Sequence, residues 1–271
     1  MEHNQIHHQD CVEGLKSMSN ESVDVILADP PYNIGKDFGN DSDKQDFQQY
    51  LGWCDKWIQE CVRVLKPQGT LYIFGYSEML AYIRVRIEIN VRWLVWNYEN
   101  NFTRSSLQFW QRSHESVLCC YKTRPVFDRD AVRVPYSPKY YKKYKNRPNV
   151  QRTPSTSGRY KKEGSVQTTY KLHPNGALPR DVIKIPSLSG GAGAKEKVDH
   201  PTQKPVALCR YLLRACKLPK GERTKLVVPF AGSGSECVAA IMEDIDFTAY
   251  EMNANYVNLC RKRCATSSMM I

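Results

Sequence analysis

A chain of 271 residues with 41% hydrophobic and 25% charged residues can bury a full core and has the composition of a soluble globular protein. No apolar run approaches the ~18 residues that span a bilayer, and the polar start Met1-Glu2-His3-Asn4-Gln5 is no secretory signal, so a cytoplasmic protein with no membrane partner is expected. The net charge of +11 is uneven: residues 122–197 hold 18 Lys/Arg against 5 Asp/Glu, leaving 21 against 23 elsewhere, and this basic stretch, interleaved with Tyr136, Tyr140, Tyr141, Tyr144, Tyr160 and Tyr170, suits a polyanion unless it is only a solvated loop.

In chain order, residues 5–10 read as a short strand ending in an acid. Residues 11–18 read as a helix with Val12, Leu15 and Met18 at helical spacing. Asp10 can cap that helix or meet a ligand at the strand's carboxyl end. The run Val23–Ala28 is a buried strand, and Asp29-Pro30-Pro31-Tyr32 after it forbids both a continued ladder and an immediate helix. The turn presents a carboxylate, carbonyls without competing N–H groups and an aromatic ring, a set that can hold a flat, amino-bearing ring. Taken alone it can equally be a proline turn with Asp as a cap.

From residue 43 to 65 the apolar positions step by three and four, predicting a long amphipathic helix bearing Trp53 and Trp57. Strands at 70–74, 93–96 and 116–121, with a helix over 78–87, extend an α/β pattern with a mostly parallel, covered sheet. From residue 122 to 198 apolar periodicity fades into Pro, Ser, Gly, Tyr and Lys, as in an irregular insertion. Regular structure resumes with a helix over 205–216, a strand from Lys225, the loop Phe230-Ala231-Gly232-Ser233-Gly234-Ser235, a helix to Met242, a strand ending on Glu251 and a helix over 253–264. The ten Cys are scattered without a Cys-x-x-Cys and read as reduced core residues, with no metal site expected.

Glycines between a strand and a helix let backbone approach a ligand closely, and Glu251 lies 17 residues beyond Gly234, the spacing of an acid that hydrogen-bonds ribose hydroxyls. Together they make a nucleoside site. The third glycine of a dinucleotide fingerprint is missing and the loop comes late in the chain, which disfavours an NAD-dependent oxidoreductase.

Asp29-Pro30-Pro31-Tyr32, the segment His200-Pro201-Thr202-Gln203-Lys204-Pro205 and the loop Phe230–Ser235, in that order, resemble the amino-group DNA methyltransferases that use S-adenosylmethionine, in the permuted arrangement called the beta class. The segments 62–74 and 114–118 resemble later strands of that sheet. The resemblance implies a Rossmann-like, circularly permuted α/β methyltransferase domain, with residues 1–124 carrying the catalytic part, 125–199 a target-recognition insertion and 200–271 the cofactor-binding part. It implies that Asp29 and the Pro30 carbonyl receive the amino hydrogens of a flipped base and that Pro31 and Tyr32 complete the catalytic turn, with Tyr32 stacking on the base. It further implies that Phe230, Gly232, Gly234 and Ser235 wrap the methionine part of the cofactor, Glu251 holds the ribose with Met252 beside the adenine, Asp10 reaches the adenine amino group, and Thr202 and Lys204 lie at the carboxylate end. Val228 departs from the family, which commonly has an acid there, so Asp29 or a backbone carbonyl has to serve in its place.

Lys139, Lys142, Lys143, Lys145 and Arg147 are the expected phosphate contacts to double-stranded DNA. The Asp form of the tetrapeptide is more usual in adenine-N6 enzymes, with cytosine N4 as the alternative target and an inactive nucleic-acid-binding methyltransferase fold as a third reading. Such enzymes serve restriction–modification systems, which makes a cognate endonuclease and a homodimer further partners to test. The aromatic face of Trp53 and Trp57 would allow the dimer, although a core role suits each of them.

Overall fold

The computed structural model describes residues 4–36, 38, 43–100, 108–145, 150–151, 169–170, 172–189, 191 and 193–269. Its elements are β1 (Gln5–His8), α1 (Cys11–Lys16), β2 (Val23–Ala28), α2 (Phe47–Val64), β3 (Leu65–Gly75), α3 (Ser77–Arg84), β4 (Asn90–Asn97) and β5 (His114–Tyr121), followed by α4 (Pro138–Tyr144), β6 (Val150–Gln151), β7 (Thr169–Tyr170) and β8 (Val182–Lys184). The chain then forms α5 (Val206–Cys216), β9 (Lys225–Val228), α6 (Ser235–Met242), β10 (Asp246–Glu251) and α7 (Ala254–Ser268). No described helix is long and apolar enough to cross a membrane.

Two compact units result, one made of Met1–Asp128 with Arg180–Ile271 and the other of Arg129–Pro179. The insertion expected over 125–199 is therefore shorter as a compact unit. Residues 180–199 belong to the larger unit because β8 pairs in parallel with β4, from Val95↔Val182 to Asn97↔Lys184. Asn100 reinforces this edge by donating to the carbonyls of Ser187 and Ser189, each at 2.8 Å.

The larger unit is built on an eight-stranded sheet in the order β1-β10-β9-β2-β3-β5-β4-β8, in which β5 runs against the other strands. All six residues of β2 are buried, as a central strand covered on both faces requires. Fully buried Ile26, Leu27, Leu71 and Ile73 each stabilise the fold by ~1.5–3 kcal/mol. Asp24 is the polar exception in β2. It accepts from Lys66 Nζ at 2.7 Å and from the Lys225 N–H at 2.9 Å, which fastens β2 to β3 and β9 at the end of the sheet away from the proline turn.

Helix α2 starts at Asp46, whose side chain accepts from the N–H groups of Gln48 and Gln49, and it buries Tyr50, Leu51, Cys54, Trp57, Ile58, Cys61 and Val64. Trp57 is fully buried, and the half-buried Trp53 packs against the core on Phe230 with ring centroids 5.6 Å apart. Three of the scattered cysteines meet in space: the sulfurs of Cys237 on α6 and of Cys260 and Cys264 on α7 lie within 4.8 Å of one another, all buried.

The sheet's chain order reverses between β9 and β2, leading to β10 and β1 on one side and to β3 on the other, and open α/β sheets form their ligand crevice outside the carboxyl ends of strands at such a point. The parallel registers Ile26↔Val227, Ala249↔Val228 and His8↔Glu251 bring Asp29, Phe230, Glu251 and Asp10 to that edge.

In the smaller unit, Ser137 caps α4 and Pro138 occupies its first turn. Tyr136, Tyr140 and Tyr144 stack in series, with centroids 5.5 and 4.5 Å apart. Lys139, Lys142, Lys143 and Lys145 are exposed, whereas Arg147 lies outside the described residues.

Candidate active site

A cleft of about 910 Å³, counting its open mouth, lies at the carboxyl ends of β1, β10, β9 and β2. Asp10, Asp29, Thr202, Phe230, Gly232, Glu251 and Met252 line it, together with His200 and Glu236, which sequence reasoning did not single out. Asp10 caps α1, its Oδ1 accepting from the N–H groups of Val12 at 2.9 Å and Glu13 at 3.3 Å, and the residue also lines the cleft. Glu251 accepts from the Gly232 N–H and the Asn253 N–H, both at 2.8 Å, which ties the last strand to the glycine loop. Burial raises its carboxyl pKa above the ordinary value.

At the other end of the cleft Asp29 is held by two donors. Tyr32 Oη donates to Oδ1 at 2.6 Å and Lys204 Nζ to Oδ2 at 2.9 Å. Lys204 is 3% exposed and also lies 3.5 Å from Glu115 Oε2. Burial alone would lower its pKa, but the carboxylates of Asp29 and Glu115 outweigh burial and hold the ammonium above its ordinary value. The same surroundings push the Tyr32 phenol up, through burial first and then through Asp29 and Glu115. Tyr50 donates to the Pro31 carbonyl at 2.8 Å, while among the described residues no donor occupies the Pro30 carbonyl. A second cleft opens on the far side of this turn, lined by Tyr32, Tyr76, Trp96, Tyr98, Glu115 and Lys204, and it shares His200 and Thr202 with the first.

A family model described as DNA methylase, covering adenine-N6 and cytosine-N4 enzymes, matches residues 23–262. The chain belongs to this DNA methylase family. It is 30% identical over 275 residues to the DNA adenine methyltransferase YhdJ of Escherichia coli, covering 96% of this chain and 82% of that one. It is 28% identical to the type II methyltransferase M.HpaI of Haemophilus parainfluenzae, covering 93% and 71%. Among solved structures the fold matches the cytosine-N4-specific PvuII DNA methyltransferase with a TM-score of 0.67 at 15% identity, covering 97% of this chain and 86% of that one. It also matches the M1.HpyAVI complex with SAM, with a TM-score of 0.57 at 21% identity and 96% and 98% coverage.

Within this DNA methylase several residues stand elsewhere than expected. Lys204 does not line the cleft that holds Glu251; its ammonium is drawn beneath Asp29 by two carboxylates and lines the second cleft instead. Ser235 is fully buried, bonded to Ser233 Oγ at 3.2 Å and Arg263 Nη1 at 3.1 Å, so it stiffens the glycine loop from behind. Tyr32 is 4% exposed: its hydroxyl is turned onto Asp29 and its ring lies against Tyr76 at 5.1 Å, at the wall of the second cleft. His200 is a half-buried ring whose pKa desolvation lowers to about 4, so it is neutral at working pH. It closes over Gly232, where a Cβ would stand 2.8 Å from its Nε2.

Gly234 also serves packing. It caps α6 at φ +79, and a Cβ there would stand 2.6 Å from Cys260 Sγ and 3.0 Å from Cys260 Cα. Gly234→Ala is expected to destabilise the protein by about 2–4 kcal/mol, from the left-handed backbone and the overpacking together. Denaturant unfolding checks this, and an unchanged midpoint would contradict the assignment.

Proposed function

We propose that this DNA methylase transfers a methyl group to the exocyclic N6 of a flipped adenine in double-stranded DNA. S-adenosylmethionine, the cofactor, supplies when bound an electrophilic methyl on a sulfonium. The cleft suits it: Gly232 leaves backbone exposed where a side chain would fill the space, at φ +44, and the acids at both ends can accept from ribose hydroxyls, an amino group and an ammonium. Glu251 and Asp10 are the residues for the nucleoside part, with Met252 beside it, and Phe230, Gly232 and Thr202 are those for the methionine part.

The observation that carries the reading is the fixed Asp29 carboxylate, held by Lys204 and Tyr32 where the two clefts share His200 and Thr202. An exocyclic amino nitrogen is a poor nucleophile because its lone pair is delocalised into the ring. Asp29 Oδ and the Pro30 carbonyl accept its two hydrogens, which favours a tetrahedral nitrogen and the positive charge that develops on it. A preset carboxylate needs little reorganisation, and orientation lowers much of the barrier. The target atom is out of reach within a duplex, so the base leaves the stack at a cost of a few kcal/mol, and the aromatic second cleft is suited to receive it. There Tyr32, which lines this cleft while its hydroxyl holds Asp29, offers its ring to the base. The exposed Lys139, Lys142, Lys143 and Lys145, with Arg147, supply phosphate contacts that position the duplex without reading sequence.

Adenine is favoured by the Asp form of the tetrapeptide and by the adenine activity in the name of the 30% identical relative. Incubation with labelled S-adenosylmethionine and duplex DNA, followed by digestion to nucleosides, is expected to yield N6-methyladenine. N4-methylcytosine would establish the alternative, and label confined to RNA or protein would overturn the substrate assignment.

A further inference from the structure

One carboxylate of the first cleft has no role in the reading above. Glu236, in the first turn of α6, is 3% exposed and lines the cleft beside Asp29 and Ser233. The other acids there already hold strong donors: Asp10 holds the N–H groups of α1, Asp29 holds Tyr32 and Lys204, and Glu251 holds the N–H groups of Gly232 and Asn253. Glu236 has only its own backbone N–H and the weakly donating Cys209 thiol, 3.8 Å from Oε1. Among the described residues no Lys, Arg or His forms an ion pair with it. The two nearby cations are engaged elsewhere, Lys204 by Asp29 and Glu115, and Arg263 by the Ser233 carbonyl at 2.6 Å and Ser235 Oγ.

A buried carboxylate without a cation is costly, and here burial, with Asp29 adding to it, raises the carboxyl pKa to about 7. A cationic group on a ligand would offset that cost. The strand order locates the group: Asp10 and Glu251 lie at the ends of β1 and β10, whereas Asp29 ends β2 on the other side of β9, and Glu236 interacts with Asp29, Lys204 and Arg263. It therefore belongs to the end of the cleft away from the nucleoside residues. Strand β9 brings no acid of its own, since Val228 is apolar and fully buried.

We propose that Glu236 binds the α-ammonium group of the methionine moiety of S-adenosylmethionine, supplying from α6 the negative charge that Val228 cannot. This rests on the first cleft being the cofactor site. The groups that face Glu236 are Asp29 beyond β2, Lys204 just before α5, Cys209 on α5, and Cys260 and Arg263 on α7. Lys204, whose pKa its carboxylate partners raise, keeps its charge between pH 6 and 7.5.

The test is equilibrium binding of four ligands: S-adenosylmethionine, S-adenosylhomocysteine, its analogue lacking the α-amino group, and 5′-methylthioadenosine, which lacks the whole amino-acid part. Glu236→Gln is expected to weaken S-adenosylmethionine and S-adenosylhomocysteine alike by about tenfold or more, to leave methylthioadenosine unchanged and to abolish the preference for the amino-bearing ligand. Methylthioadenosine binding also verifies that the variant is folded. In the unaltered protein, S-adenosylhomocysteine affinity is expected to rise roughly fivefold or more from pH 6 to 7.5 as the carboxyl ionises, and that of the deaminated analogue much less. No loss in the variant, an equal loss for methylthioadenosine, a loss confined to the sulfonium ligand, or equal pH profiles for the two homocysteine ligands would each overturn the proposal. Failure of the unaltered protein to bind any of the four would sink the cofactor site itself.

Discussion

Asp29→Ala is expected to lower the single-turnover rate of methyl transfer by ~10³-fold or more while S-adenosylhomocysteine binding stays within about tenfold. In the proposed mechanism the carboxylate is the acceptor at the reacting nitrogen, and it is preset: Tyr32 and Lys204 hold its two oxygens at 2.6 and 2.9 Å. Alanine removes the acceptor and leaves Lys204 facing Glu115 alone, so part of the loss comes from a disordered turn. Asp29→Asn separates the two effects. It keeps the shape of the side chain but presents one oxygen and an NH₂ group, and the amide NH₂ cannot accept from the base while its oxygen is claimed by Lys204. Its rate is expected to fall by ~10²-fold or more with thermal stability nearly unchanged. A Asp29→Ala variant that methylates DNA at the original rate would remove Asp29 from the chemistry.

The parts of this fold that were legible in the sequence are those whose signal is local. The stepping apolar positions of α2, the continuous apolar run of β2 and the prolines after it each state an element through their own residues. Strand β8 is three residues among prolines and serines and exists because β4 offers it an open edge. Helix α4 has no buried residue and so no apolar stripe to find; Ser137 followed by Pro138 was its only local mark. At the site, the order of motifs located both Asp29 and the glycine loop, but the partners of each motif come from far along the chain. Lys204 reaches Asp29 across 175 residues, Glu115 joins them from β5, and Ser235 turns inward to Arg263. Glu236 carried a trace of its role, a charged residue at the head of the apolar run Cys237-Val238-Ala239-Ala240, but only the cleft shows that it has no cation.

Lys204→Met is expected to destabilise the protein by about 3–5 kcal/mol, because it leaves two carboxylates facing each other without their cation. Asp29 and Glu115 are 12% and 14% exposed at their side chains, and the ammonium between them also donates to the Thr202 carbonyl at 3.3 Å and lies 5.1 Å from the centre of the Tyr32 ring. Methionine fills much the same space, so the loss is electrostatic and not a cavity. The cheapest relief is a proton shared by the two acids. When it sits on Asp29, the acceptor proposed for the reacting nitrogen is lost, so the residual activity of the variant should rise with pH as that proton leaves. The double variant Lys204→Met/Glu115→Gln removes the excess charge and is expected to recover a large part of the stability, a non-additivity that a double-mutant cycle in denaturant measures directly. Additive losses in that cycle, or a single variant of unchanged stability and rate, would show that Lys204 does not hold the catalytic turn in place.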